Sequence, residues 1–192
     1  KLVPEAKPVN PKANKALLNA VKKGEIEAAK QAITDGANLN TKDERGTTPI
    51  HIAAGRGNLG LMKLLVKKGA NIETKNDNGD SLLHMASISA QKDVFEYLVE
   101  KGANVNAKNR DGTTPLHVAN YHEEVASFLI KNGADVNAKD GFGSTPIFLI
   151  NSPEVVKILI RNGGDVNAVD RFGTTPLDSA LSQSEALKIT IP

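Results

Sequence analysis

Apolar residues fall in short clusters that alternate between weak and dense. Leu61, Met62, Leu64, Leu65 and Val66 form one dense cluster, Val94, Phe95, Tyr97, Leu98 and Val99 a second, and Val125, Phe128, Leu129 and Ile130 a third. Their spacing puts one apolar stripe on a helix of two to three turns. A shorter group precedes each: Ile50, Ile52 and Ala53 in one place, Leu116, Val118 and Ala119 in another. Small alanines there let a neighbouring helix approach closely. Thr48, Thr114, Thr145 and Thr175 each precede a Pro. This order predicts a Thr N-cap, its hydroxyl accepting an orphan backbone N–H, with Pro at the first helical position where no donor is needed. Gly36, Gly69, Gly102, Gly133 and Gly163 follow the dense clusters as left-handed helix ends, and the polar stretches through Gly46, Gly79, Gly112, Gly143 and Gly173 predict tight turns. The pattern is therefore turn, helix, helix, repeated.

The period is explicit. Thr48, Ser81, Thr114, Thr145 and Thr175 lie 33, 33, 31 and 30 residues apart, and the series Gly36-Ala37-Asn38, Gly69-Ala70-Asn71, Gly102-Ala103-Asn104, Gly133-Ala134-Asp135 and Gly163-Gly164-Asp165 keeps the same steps. These motifs, with the Thr-Pro-Leu-His start at 114–117 and the Asp-x-x-Gly-x-Thr turn, resemble the ankyrin repeat family over residues 13 to 192. The resemblance implies a mainly α solenoid of about five and a half stacked helix pairs with projecting β-hairpin loops. One such unit cannot bury its apolar face alone, so stability resides in the interfaces between units.

Residues 1–12, with Pro4, Pro8 and Pro11, read as a flexible Pro/Lys-rich lead, and the repeat domain is expected over 13–192. Its units are 13–42, 43–75, 76–108, 109–139 and 140–169, with a C-terminal cap or truncated repeat at 170–192. The first unit lacks the Thr-Pro start and turns Lys22, Lys23, Lys30 and Gln31 to water, as a capping repeat requires. The last is expected to hold a full first helix and a short second one through Ala186, Leu187 and Ile189. Units 109–139 and 140–169 are short by two and three residues, and alignment assigns both deletions to the turn between helices, with Pro153 starting the second helix.

Composition narrows the chemistry. The chain has 192 residues, 24 basic against 22 acidic, no Cys, no Trp and only five Phe and two Tyr. Without Cys there is no disulfide, no thiolate nucleophile and no Cys-ligated zinc, and no apolar run is long enough to span a membrane. His51, His84 and His117 recur at one repeat position without a carboxylate at ligand spacing, so they read as structural, and the resemblance implies that they join the Thr at the helix start to the hairpin backbone. His122 stands outside that series beside Glu123 and Glu124, without a His-Glu-x-x-His pattern. Gly55-Arg56-Gly57 joins two helices and has no strand before it, so no phosphate loop is expected. Neither an enzymatic activity nor a cofactor or metal is expected.

The resemblance further implies recognition of another protein through a concave face made by the turn tips and inner helix ends. In this sequence those positions include Arg45, Arg56, Asp80, Ile88, Arg110, Tyr121, Phe142, Arg171 and Phe172. Aromatics flanked by Arg suit a protein interface. Phe142 and Phe172 stand at one repeat position and fit two roles, partner anchors or a structural ladder from turn to turn. The alternative function is binding of nucleic acid or another polyanion by the basic N-terminal third, where residues 1–75 carry 14 basic and 7 acidic side chains but no aromatic. A monomer is expected; a cytoplasmic location is favoured over a secreted or periplasmic one.

Overall fold

The computed structural model describes residues 10–119 and 122–189, with side chains up to residue 182. Among the described residues there are ten α-helices and no strand. The chain divides into two compact units, Lys1–Ala103 and Asn104–Pro192.

The first unit holds α1 (Pro11–Lys23), α2 (Ile26–Thr34), α3 (Pro49–Gly55), α4 (Leu59–Lys67), α5 (Leu82–Ser89) and α6 (Lys92–Glu100). First helices stack on first helices, α1 on α3 on α5, and second helices on second, α2 on α4 on α6. The core is a series of thin layers: Leu17, Ala20 and Val21, then Ile50, Leu61 and Leu65, then Leu83, Phe95 and Leu98, all buried. Helix α1 begins two residues inside the expected lead. Pro11 occupies its first turn and Asn10 caps it, the Asn10 side chain accepting from Ala13 N–H. The remainder of the lead lies outside the described residues.

The second unit holds α7 (Glu123–Lys131), α8 (Pro146–Leu149), α9 (Pro153–Arg161) and α10 (Pro176–Ile189), with α7 against α9 and α8 against α10. Here the first helices depart from expectation. Residues 115–118 form turns held by bonds such as His117 N–H to Thr114 O at 3.0 Å, and α8 has only four residues. The deletions therefore come out of the helices and not out of the joining turns. Between α3 and α4 the linker is 56–58, between α8 and α9 it is 150–152, and both α4 and α9 have nine residues. The start of the second helix is kept: Asn58 accepts from Leu61 N–H and Ser152 from Val155 N–H, while His122 before α7 makes no side-chain cap bond. Pro153 sits in the first turn, as its position predicts. Ile150 reaches the core from extended backbone in place of the missing helical turn.

At the C-terminus the expected pair of helices is replaced by one, α10, which runs unbroken from Pro176 to Ile189. The projecting loops are turns without strand pairing. The helix ends agree with expectation, since all five predicted glycines have φ between 85° and 100°. After each, the next residue's N–H returns to the helix, as from Ala70 to Leu65 O at 3.0 Å and from Ala134 to Leu129 O at 2.9 Å.

Candidate protein-binding site

Each turn is built by one side chain. Asp43 Oδ1 accepts the N–H of Arg45 and of Thr47, both at 3.0 Å, and Asn76, Asn109, Asp140 and Asp170 do the same two and four residues on. A short acceptor thus holds the backbone in a tight loop and directs the two tip residues outward. Partial burial would raise the Asp43 carboxyl, but the N–H groups of Thr47 and Arg45 and the Lys22 ammonium hold it below the ordinary carboxylate value.

Behind each tip lies the Thr/Ser-His pair. Thr114 N–H donates to His117 Nδ1 at 3.1 Å, so that nitrogen carries a lone pair and Nε2–H donates to Ser144 O at 3.2 Å in the next turn. His51 likewise joins Thr48 Oγ1 and, through Nε2, the Asp80 carbonyl. Burial pushes the His51 imidazole below its ordinary value, more than its carbonyl partners raise it. These contacts correct the expected caps. Thr48 and Thr114 direct their hydroxyls to the His ring, and Thr145, followed by Phe148 in place of His, has a buried hydroxyl without a hydrogen-bond partner. Ser81 and Thr175 do cap: Ser81 Oγ accepts from His84 N–H, and Thr175 Oγ1 from Asp178 N–H while donating to Asp178 Oδ2. The Thr175 hydroxyl, followed by its N–H, lowers the Asp178 carboxyl.

In the first unit the expected site residues sit on separate elements. Arg45 is exposed at a turn tip, Arg56 is exposed at the end of α3, and Ile88 is 56% exposed on the last turn of α5. Just beyond it, Ala90 has φ 52°, the one non-glycine in the left-handed region among the described residues. Asp80 serves the fold, its carboxylate accepting from Asn76 Nδ2 and its carbonyl from His51.

The second unit brings three expected residues together. Phe142 and Phe172 are 46% and 68% exposed, and the Arg171 guanidinium lies 4.3 Å and 4.7 Å from their ring centroids. Backbone bonds set this register: Arg171 N–H donates to Phe142 O, and one turn earlier Gly141 N–H donates to Asp111 O. Glycine is required there, because a Cβ on Gly112 would stand 2.7 Å from Gly141 N. Neither sequence reading had placed Arg171 over the two rings; the stack joins the tips yet leaves both rings half open. Arg110 is exposed on the preceding tip. Tyr121 lies outside the described residues.

The basic N-terminal third is partly neutralised. Lys22 pairs with Asp43, Lys23 with Glu25 and Lys30 with Glu27, while Lys12 and Lys15 are exposed on α1. Among the described residues no group of three His, Asp or Glu could hold a metal ion, and no helix is long and apolar enough to cross a membrane.

One set of residues missed by the sequence reading recurs in the second unit. Asn106 bridges the end of one helix pair to the next, Nδ2 donating to Gly133 O at 2.9 Å and Oδ1 accepting from Asp135 N–H at 2.8 Å, and Asn137 repeats this with Gly163 and Asp165. The signal was the Asn recurring two residues after Asp135 and Asp165 in the helix-end motif.

A family model described as ankyrin repeats in three copies matches residues 17–109 and again residues 74–140. No curated protein matches the chain significantly. The family match, the repeating turn–helix–helix unit and the Thr-His bridges agree, and the chain belongs to the ankyrin repeat family, with the mainly α repeat fold of that family.

Proposed function

We propose that this chain binds a partner protein through its turn tips and inner helix ends, with Phe142, Arg171 and Phe172 as the centre of the contact and Arg110 beside them. Ankyrin repeats generally mediate protein–protein interaction and are typically not enzymes. The observation that carries the finer reading is the stack itself: two large rings are left half open to solvent in a chain with seven aromatics, and they are held in register by a cation. Such rigid aromatic and Arg groups lose little conformational freedom on binding and dominate interface energetics. Arg45, Arg56, Asp80 and Ile88 of the first unit are proposed to make partner contacts of their own, and Tyr121 to add apolar contact.

The test is capture of a partner by immobilised chain, quantified by mass spectrometry, with wild type beside Phe142→Ser/Phe172→Ser. Both side chains are exposed, so the circular dichroism spectrum should be unchanged. Partner recovery should fall about 30-fold or more, the size expected when a hot spot of at least ~2 kcal/mol is removed. Equal recovery by the folded variant would refute the reading.

A further inference from the structure

We propose that Asn78 and Gly79 form a site of spontaneous deamidation, at which the turn tip of the third repeat converts itself to an aspartyl or isoaspartyl form and loosens its link to the second repeat. The site lies in the first unit and does not depend on the role of Phe142, Arg171 and Phe172.

Three Asn residues precede a Gly in this chain, Asn78, Asn132 and Asn162. Because Gly carries no Cβ, its backbone nitrogen reaches the preceding side-chain amide carbon with the least obstruction, so all three pairs have the sequence that ring closure needs. Their surroundings differ. Asn132 and Asn162 follow the last residues of α7 and α9, where Asn132 Nδ2 donates to Phe128 O and Asn162 Nδ2 to Ile158 O, both at 2.8 Å. The Gly N–H after each is also held, by Ile130 O at 3.0 Å and Ile160 O at 3.1 Å. Both reacting groups are thus tied at these helix ends. Asn78 stands exposed at a turn tip, and its side chain makes no hydrogen bond among the described residues. Only the Gly79 N–H is held there, by Asn76 O at 2.9 Å. The other turns carry Arg45, Asp111, Phe142 and Phe172 before their Gly, so an amide stands at this tip position in the third repeat alone.

The step balances with water as its one co-reactant. The Gly79 nitrogen gives up its proton to solvent and bonds to Asn78 Cγ, closing a five-membered imide. The Cγ–Nδ2 bond breaks, and Nδ2 leaves as ammonia with a proton taken from solvent. Water then adds to either imide carbonyl, its hydroxyl to the carbon and its proton to the nitrogen. Opening at Cγ gives an aspartyl residue on an unchanged backbone. Opening at the main-chain carbonyl carbon gives an isoaspartyl residue, whose backbone runs through Cβ and Cγ. One water is consumed, one ammonia is released, and a neutral amide becomes a carboxylate.

The position of the extra backbone carbon decides the consequence. Asn76 Oδ1 accepts the N–H of Asn78 at 2.9 Å and of Asp80 at 2.8 Å, and the carbon enters between those two donors. One short acceptor then no longer spans both. Asn76 N–H also donates to Asp80 O at 3.1 Å, and the same carbonyl receives His51 Nε2–H at 3.2 Å from the second repeat. Displacing Asp80 therefore weakens the bond by which the buried His51 ring reaches the third repeat, and a buried donor that loses its acceptor is costly. The aspartyl product carries the same new charge without the insertion and leaves this bridge in place.

The test holds the full chain in mildly alkaline buffer, digests it at intervals, and follows each Asn–Gly peptide by the mass gain of amide-to-acid conversion. In the folded chain Asn78 should convert at least about fivefold faster than Asn132 and Asn162, the factor expected from one hydrogen bond fewer to release. In urea the three rates should converge. Asn78→Gln should remove the conversion, because its ring must close through one more carbon. Ion exchange then isolates the isoaspartyl form, whose urea midpoint should fall and whose His51 Nε2–H resonance should move, whereas Asn78→Asp should match wild type in both. Equal rates in the folded chain, faster conversion at Asn132 or Asn162, or an unchanged ranking in urea overturns the site. An isoaspartyl form with the wild-type midpoint and His51 resonance overturns its effect on the link.

Discussion

The first helices of the first unit, α1, α3 and α5, have 13, seven and eight residues, whereas the shortened repeats of the second carry a turn at 115–118 and the four-residue α8. The second helices do not share this difference: α4, α6, α7 and α9 all have nine residues. When length is lost, the first helix yields and the second is kept. From the second repeat on, the second helix supplies a fully buried Leu, Leu65, Leu98, Leu129 and Leu159, while the first segment keeps its buried N-terminal residue, Ile50, Leu83, Leu116 or Ile147, and loses length beyond it. The comparison implies that in both units the second helix and the start of the first carry the packing, and that the end of the first helix is dispensable.

The largest expected effect follows directly. Leu65→Ala and Leu129→Ala each remove a fully buried side chain and should each cost about 2–5 kcal/mol, measured by chemical denaturation. If the Leu129 variant costs less than half as much as the Leu65 variant, the shortened first helix has loosened its partner and the comparison fails.

A sharper contrast lies within the second unit. His117→Phe copies what the chain itself has at Phe148. It should cost about 1–3 kcal/mol, because Thr114 and the Ser144 carbonyl lose the ring nitrogens that satisfy them. At the equivalent place one repeat on, Thr145→Val removes a buried hydroxyl that has no partner, with little change of shape. That substitution should be neutral or stabilise by up to ~1 kcal/mol. Destabilisation by Thr145→Val would show that its hydroxyl is satisfied after all, and would remove the distinction between the two repeats.

Much of this was legible in the sequence because it is local. The glycine that ends each second helix must adopt positive φ wherever the chain reverses, and Gly36 to Gly163 carry that requirement at a visible period. The structural role of the histidines was legible from their recurrence at one repeat position and from the family resemblance, and the bond that Thr114 makes to His117 is local. Which element would absorb the deletions was not, because a count of residues does not distinguish a shortened helix from a shortened turn. The fate of the Thr hydroxyls could have been read from the series His51, His84, His117, Phe148 and Asp178, in which the partner changes while the Thr or Ser remains. The Arg171 stack needed the register between turns, which rests on a backbone bond from Arg171 to Phe142 that no side-chain pattern announces.

The smallest expected effect concerns the bridge that His51 makes within the first unit. Burial favours its neutral form and Lys42 adds to this, while hydrogen bonds at the Asp80 and Thr74 backbone and the Asp80 charge oppose it, leaving the folded pKa below the ordinary 6.5. The unfolded chain therefore takes up a proton as pH falls through 6.5, and the folded chain does so only at lower pH. Proton uptake favours the unfolded state, so this part of the stability is present above pH 6.5 and declines as pH falls from there toward the folded value. His51→Gln cannot titrate, and the other histidines are common to both proteins. Urea midpoints at pH 7.5 and 5.5 should then fall more for wild type than for His51→Gln. An equal fall would mean that the imidazole is protonated as readily in the folded bridge as in the open chain, and that the link from Thr48 through His51 to Asp80 does not require the neutral ring.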